Sequence, residues 1–298
     1  MTARDKRLLP GLGLIVLASA FAVSSCPPTG GAVGESRESA VVEYVALGDS
    51  RSAAPDRVVG AGADGCGRSA TGYPVRVAAA IHPNSFVDVT CSGATSANLL
   101  TAAQQTTSAD GVRYRMSPQV AALKPSTTLV TVSIGGNDLR WWELVSACFP
   151  PIDGIDAGCR FDRAARERVE HRLAELAELI ESDLDAVVAK APHATVVVVG
   201  HGGIYGPAGC GPTATFSAAD AAWVAEVFAG IDRVLRGSAI AHDARFVDVR
   251  AAAAGHEACA PAENRWFEGN VSTGSTPVRH PTPVGSAAIA ALVVDALR

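Results

Sequence analysis

Val41-Val42-Glu43-Tyr44-Val45-Ala46-Leu47-Gly48-Asp49-Ser50 is a mostly apolar run that stops abruptly at Gly-Asp-Ser. A run rich in β-branched and aromatic residues that ends in Gly and small polar residues reads as a buried strand delivering its last residue into a turn. Ligands of open α/β sheets bind outside the carboxyl ends of the strands, so Ser50 is expected at the mouth of a cleft. Alone the motif is weak, because Gly, Asp and Ser are ordinary turn residues.

Working outward from this strand, Arg51 to Thr71 is glycine-rich and reads as a long loop over the cleft, and Tyr73 to Ile81 as a helix. Ser85 to Thr90 alternates as a second strand, and Thr127 to Ile134 is the third. Arg163 to Lys190 carries apolar residues at Val169, Leu173, Leu176, Leu179, Ile180, Leu184, Val187 and Val188, the stripe of a charged surface helix. Thr195 to Val199 is continuously apolar, as in a strand buried on both faces. Ser217 caps a further helix, with Asp220 where a capping-box acid helps. Ala244 to Val249 is a fifth strand, Gly255 to Val278 a loop, and Val284 to Leu297 a closing helix. Strands alternating with helices give an α/β fold, a three-layer α/β/α sandwich around a parallel five-stranded sheet.

Three further blocks follow Ser50, each after a predicted strand or in the late loop: Cys91-Ser92-Gly93-Ala94-Thr95, Gly135-Gly136-Asn137-Asp138, and His280-Pro281. With Gly-Asp-Ser in this order the chain resembles the SGNH (GDSL-type) hydrolases, and in particular the secreted actinobacterial lipases and esterases among them. The resemblance covers most of Val41 to Arg298 and implies a flavodoxin-like sheet and a serine ester hydrolase. It implies Ser50 as nucleophile, His280 as general base and acid, and an oxyanion hole from the Ser50 and Gly93 N–H groups and the Asn137 amide. The chemistry agrees with these residue types, since a serine hydroxyl needs an imidazole to take its proton and a developing oxyanion needs fixed donors.

The chain departs from that pattern at Pro277, where the family commonly has Asp three residues before the His. The Pro277 carbonyl is therefore expected to orient His280, giving a Ser-His dyad. Arg51 stands where relatives often have Tyr or Leu, and either guides an anionic or polar leaving portion or faces solvent. Trp141 and Trp142 are expected either to wall an acyl site or to pack in the core. Asp49 is expected to organise its turn. His201 also follows a strand but lacks the family context, whereas His171 is read as a solvated helix residue and His82, His193, His242 and His256 as surface residues.

Arg4, Lys6 and Arg7 precede an apolar run from Leu8 to Ala22, a secretory signal too short to span a bilayer comfortably. Val23-Ser24-Ser25-Cys26 resembles a lipoprotein box that would lipidate Cys26 and anchor the chain outside the membrane. Cleavage near Ala18-Ser19-Ala20 is the alternative. Residues 1–26 are thus read as signal, 27–40 as a flexible tether poor in apolar residues, and 41–298 as the catalytic domain. Removing Cys26 from the seven cysteines leaves an even set, which in an exported protein reads as disulfides. The resemblance implies sequential pairing of Cys66 with Cys91, Cys148 with Cys159, and Cys210 with Cys259.

No Cys/His cluster has zinc spacing, so no metal is expected, and the serine hydrolase mechanism that the resemblance implies needs no organic cofactor. A formal charge of -5 leaves no footprint for nucleic acid or anionic lipid heads. A monomer acting on a small-molecule or lipid ester is expected. Two alternatives stay open at this level: a carbohydrate O-acetyl esterase with the same machinery, and a non-catalytic lipid- or glycan-binding envelope lipoprotein on the same fold.

Overall fold

The Val41 run forms β1 (Glu43–Gly48), whose Tyr44, Val45, Ala46 and Leu47 are all buried. The computed structural model describes residues 41–58, 60–150, 152, 155–209, 217–272 and 274–298; the expected signal (1–26) with Cys26, the expected tether (27–40) and Cys210 lie outside them. β1 pairs in parallel with β2 (Ser85–Asp88) on one side. On the other it pairs with β5 (Leu129–Ser133), which is buried along its whole length. β6 (Thr195–Val199) and β7 (Arg245–Val247) extend the sheet to the order β2-β1-β5-β6-β7. The direction of strand succession reverses between β1 and β5, which is where ligands bind in this topology. The register sets Gly48 beside Ser133 there, so the chain leaves both strands at one spot.

Helices cover both faces, α2 (Tyr73–Ile81) packing on α9 (Pro283–Ala296) and α6 (Arg163–Lys190) on α7 (Ala218–Ala241). The α6 stripe buries Val169, Leu176, Ile180, Leu184 and Val187, while Leu179 and Val188 of the expected stripe turn outward. Burying one such aliphatic side chain stabilises by roughly 1.5–3 kcal/mol. Ser217 caps α7 as expected, accepting from the Asp220 N–H. The buried Asp220 carboxylate goes instead to the Arg160 guanidinium at 2.8 Å.

A two-stranded antiparallel ribbon, β3 (Gln104–Thr107) with β4 (Arg113–Met116), is absent from the sequence-based expectation. Shorter helices complete the fold: α1 (Ser50–Ala53), α3 (Ser96–Leu100), α4 (Gly136–Leu139), α5 (Trp141–Val145) and α8 (Val249–Ala252). Disulfides join Cys66 to Cys91 and Cys148 to Cys159, as the resemblance implied. Cys259 is disulfide-bonded as well. The first bridge fastens the glycine-rich loop to the exit of β2; links of this kind contribute roughly 2–4 kcal/mol.

Candidate active site

At the end of β1 the chain turns into α1 within two residues. The Asp49 carboxylate caps that helix, accepting from the Arg51 N–H at 2.9 Å, while the Asp49 N–H bonds Ser133 across the strand junction. Ser50 is thereby held, half-buried, at the head of α1. Gly48 just before it is clamped by the buried Gln119 amide, which accepts from the Gly48 N–H at 2.7 Å and donates to its carbonyl at 2.9 Å. No sequence motif points to Gln119, which reaches the site from 71 residues away.

Gly93 follows β2 in a turn at φ +82°. Asn137 sits in α4, and its amide donates to the Ala94 carbonyl at 2.9 Å, drawing the Asn block onto the Gly93 turn. Asp138 tightens the same junction by accepting from the Ser96 N–H, and the Ser96 hydroxyl donates to Asp183 of α6 at 2.8 Å. Burial, helped by the charge of Asp138, pushes the Asp183 carboxyl up to about 7. Neither the Ser50 nor the Gly93 N–H is spent on a backbone acceptor among the described residues.

His280 arrives from the loop before α9. Its Nδ1 lies 2.7 Å from the Val278 carbonyl. The acceptor is therefore Val278, not Pro277. Arg279 adopts φ +63°, a left-handed conformation uncommon for a residue with a Cβ, and this folds the chain back so that the carbonyl two residues before the histidine, not three, faces the ring. A carbonyl can only accept, so Nδ1 carries the proton and Nε2 is left with a free lone pair. Arg279 donates its N–H to Glu268 and Gly269, and the Glu268 N–H returns to the His280 carbonyl, fixing the loop. Among the described residues neither Asp49 nor Asp138 is hydrogen-bonded to the imidazole, whose Nδ1 goes to Val278.

Ser50, Asn137, Pro277 and His280 line both lobes of one cleft. Among the described residues Ser50 and His280 share this lining without a hydrogen bond between them. One lobe, about 500 Å³, is lined by Pro55, Ala61, Gly65, Gly67 and Gly93. The other, about 270 Å³, is lined by Arg51, Trp141, Trp142, His201 and Arg279. Trp141 and Trp142 are half-buried and stand edge to face, so they wall the cleft and also pack on Phe228 and Phe149 respectively. Arg51 does not face solvent, being 5% exposed.

Burial lowers the His280 pKa, and the charges of Arg51 and Arg279 reinforce this, while the bond to Val278 acts in the opposite direction. The imidazole is thus kept neutral and able to accept a proton. Burial pushes Asp49 up to about 6 despite the Arg51 N–H it accepts from. His171 is exposed beside Glu175 as expected. His242 corrects the surface reading, since its ring is 11% exposed and bonds Ser238 and Asp185.

The chain matches the model of the GDSL-like Lipase/Acylhydrolase family over residues 46–288. It is 31% identical to "Lipase 1" of Streptomyces coelicolor over 86% of each chain, and 30% identical to "Lipase" of Streptomyces rimosus over 74% of each. The crystal structure of phospholipase A1 from Streptomyces albidoflavus superposes with a TM-score of 0.64 at 29% identity, covering 87% of this chain and 98% of that one. The extracellular lipase of Streptomyces rimosus gives 0.64 at 27% identity, covering 86% and 98%. On its sequence and on the strand order that brings Ser50, Asn137 and His280 to one cleft, the chain belongs to the GDSL-like Lipase/Acylhydrolase family and is a carboxylic ester hydrolase.

Proposed function

We propose that the protein is an exported serine esterase or lipase that works through an acyl-enzyme on Ser50. The observation that carries this is the convergence of Ser50 and His280, from opposite ends of the domain, on a cleft where the Val278 carbonyl fixes the imidazole tautomer. Ser50 Oγ attacks the ester carbonyl as its proton passes to His280 Nε2. The oxyanion is met by the Ser50 and Gly93 N–H groups and by the Asn137 amide hydrogen not spent on Ala94. Collapse expels the alcohol, which takes the proton from His280; water then attacks the acyl-enzyme, giving a proton to His280, and the acid leaves as Ser50 is reprotonated. Every step uses groups of this chain.

The basic Arg4-Asp5-Lys6-Arg7 segment before the Leu8–Ala22 run supports export, and Cys26 is the proposed site of lipidation, holding a monomer at the outer membrane surface. Mass spectrometry after treatment with a fluorophosphonate reads both features. One adduct on the Ser50 peptide and an acylated Cys26 as first residue are expected. An unlabelled Ser50 overturns the nucleophile, and a mature chain starting near Ala20 overturns the anchor.

The lowered pKa of His280 sets the pH profile. The base must be neutral, so activity falls as pH drops through that pKa, and the acid limb of kcat/KM should have its midpoint below the ordinary histidine value of about 6.5. Arg279→Met removes a charge that lowers the pKa, so it should move the limb upward. A limb above 7 in the wild type, or one that Arg279→Met moves downward, contradicts this electrostatic reading. Asp49 titrates at about 6 in the same cleft; only the His280 limb responds to Arg279 as described.

A further inference from the structure

Buried cations in folded proteins are paired, because taking a charge out of water costs several kcal/mol unless an opposite charge or a full set of acceptors replaces the solvent. Even the partly buried Arg160 and Arg265 are paired, with Asp220 and Glu268 at 2.8 and 3.0 Å. Arg51 is not. Its Nη1 has no partner, its Nη2 has only the Gly202 carbonyl at 3.3 Å, and the guanidinium lies over Phe267 at 5.0 Å. Asp49 and Asp232 attract the Arg51 charge, but neither carboxylate is hydrogen-bonded to its guanidinium among the described residues: Asp49 Oδ1 accepts from the Arg51 backbone N–H, and Asp232 Oδ1 from the His201 and Gly202 N–H groups. Asp232 Oδ2 has no hydrogen bond and faces Arg250 at 3.6 Å.

The same lobe holds a second unsatisfied group. His201 is 3% exposed and neither ring nitrogen has a partner. Its ring lies against Gly136, where a Cβ would come within 2.2 Å of the imidazole, so the ring is fixed at the wall of the cleft. At the rim stands Arg279, its guanidinium 3.9 Å over the Trp142 ring, with Asn270 Oδ1 at 3.4 Å and no ion pair among the described residues. Burial holds the His201 pKa well below the ordinary value, so a neutral imidazole stands beside two cations.

We infer that this tryptophan-walled lobe is a subsite for a small anionic group, a carboxylate or phosphate, carried by the ester. Arg51 Nη1 and a His201 nitrogen supply the donors at its floor and Arg279 closes it from the rim. The assignment rests on the reading of Ser50 and His280 as the reacting pair. One guanidinium nitrogen of Arg51 and both ring nitrogens of His201 are buried without a partner on residues that line one lobe of the reacting cleft, which leaves them open to an acceptor, and carboxylate and phosphate oxygens match the guanidinium fork. With about 270 Å³, the lobe takes the charged group and a few carbons, and leaves the larger lobe to the neutral portion.

The test compares two pairs of substrates that differ only in the anion. Mono-p-nitrophenyl glutarate against its methyl ester places the charge on the acyl portion. 1-Butyrylglycerol 3-phosphate against 1-butyrylglycerol places it on the alcohol. One anionic member is expected to be favoured by about 10- to 100-fold in kcat/KM, mostly through KM, as one or two charge-assisted hydrogen bonds supply. Arg279→Gln should cut that ratio at least several-fold, and Arg279→Lys should restore part of it. Because Arg51→Met strikes a buried position, inhibition of the wild type by free glutarate or inorganic phosphate, competitive with the neutral ester, is the companion measurement. Neutral esters cleaved with no anionic preference in either pair, and no inhibition, overturn the subsite alone. Failure to cleave any of the four esters overturns the Ser50 reading and the subsite with it.

Discussion

Ser50→Ala should lower kcat for a short p-nitrophenyl ester by about 10⁴- to 10⁶-fold, because nucleophile and base act as one unit and the remaining donors only bind and polarise the carbonyl. His280→Ala should cost about as much. The double variant should cost little more than either single one, since a base without a nucleophile has no proton to take. The fold should survive the first change. Asp49 still caps α1, Gln119 still clamps Gly48, and only one hydroxyl of a half-buried side chain is lost. Steady-state kinetics with active-site titration, beside a thermal melt, make the measurement. A variant that keeps a tenth of the wild-type rate after exclusion of contaminating esterase would remove Ser50 from the chemistry.

The features legible in the sequence are those whose cause is local. β1, β5 and β6 announce themselves because a strand buried on both faces must be apolar throughout, and α6 because its stripe recurs with the helical period. The only large apolar side chains of the β3–β4 ribbon are Met116 and Tyr114, the latter exposed. Gln104-Gln105-Thr106-Thr107 is held by its partner strand and by bonds such as Thr106 Oγ1 to the Asp64 carbonyl, which leave no mark on hydropathy. Ser50, Gly93, Asn137 and His280 were legible through their order along the chain, but their environment was not. A charged residue is exposed by default, so nothing local indicates that Arg51 lies buried over Phe267. The acceptor for His280 was misplaced by one residue because the left-handed turn at Arg279 is set by its bonds to Glu268 and Gly269, a tertiary cause. Asp183 did leave a signal: it falls one residue before Leu184 and three after Ile180, on the buried face of α6. A carboxylate at such a position requires a partner, which here is Ser96, beside the Asn137 block.

Gly48→Ala should destabilise the domain by about 2–4 kcal/mol, among the larger effects of a single methyl group. Two costs combine. Gly48 has φ +147°, open to glycine and strained for any residue with a Cβ. A Cβ there would stand 2.5 Å from the Ser133 carbonyl and 2.6 Å from Ser52 Oγ. The serine side chain could rotate, but the carbonyl belongs to the central strand β5 and accepts the Asp49 N–H, so relief means pulling β1 away from β5. For a domain of this size the melting temperature should drop on the order of 5–10 °C. Any movement of Gly48 also breaks the Gln119 clamp and turns Ser50 relative to Asn137, and misplacement by about 1 Å costs on the order of 100-fold in rate. Gly48→Ala is therefore expected to lose activity well below its melting temperature, while still folded. Thermal melts and kcat/KM at 25 °C, measured on one preparation, separate the two losses. An unchanged melting temperature with wild-type kcat/KM would show that the β1–β5 junction tolerates the methyl group and does not hold the nucleophile in place.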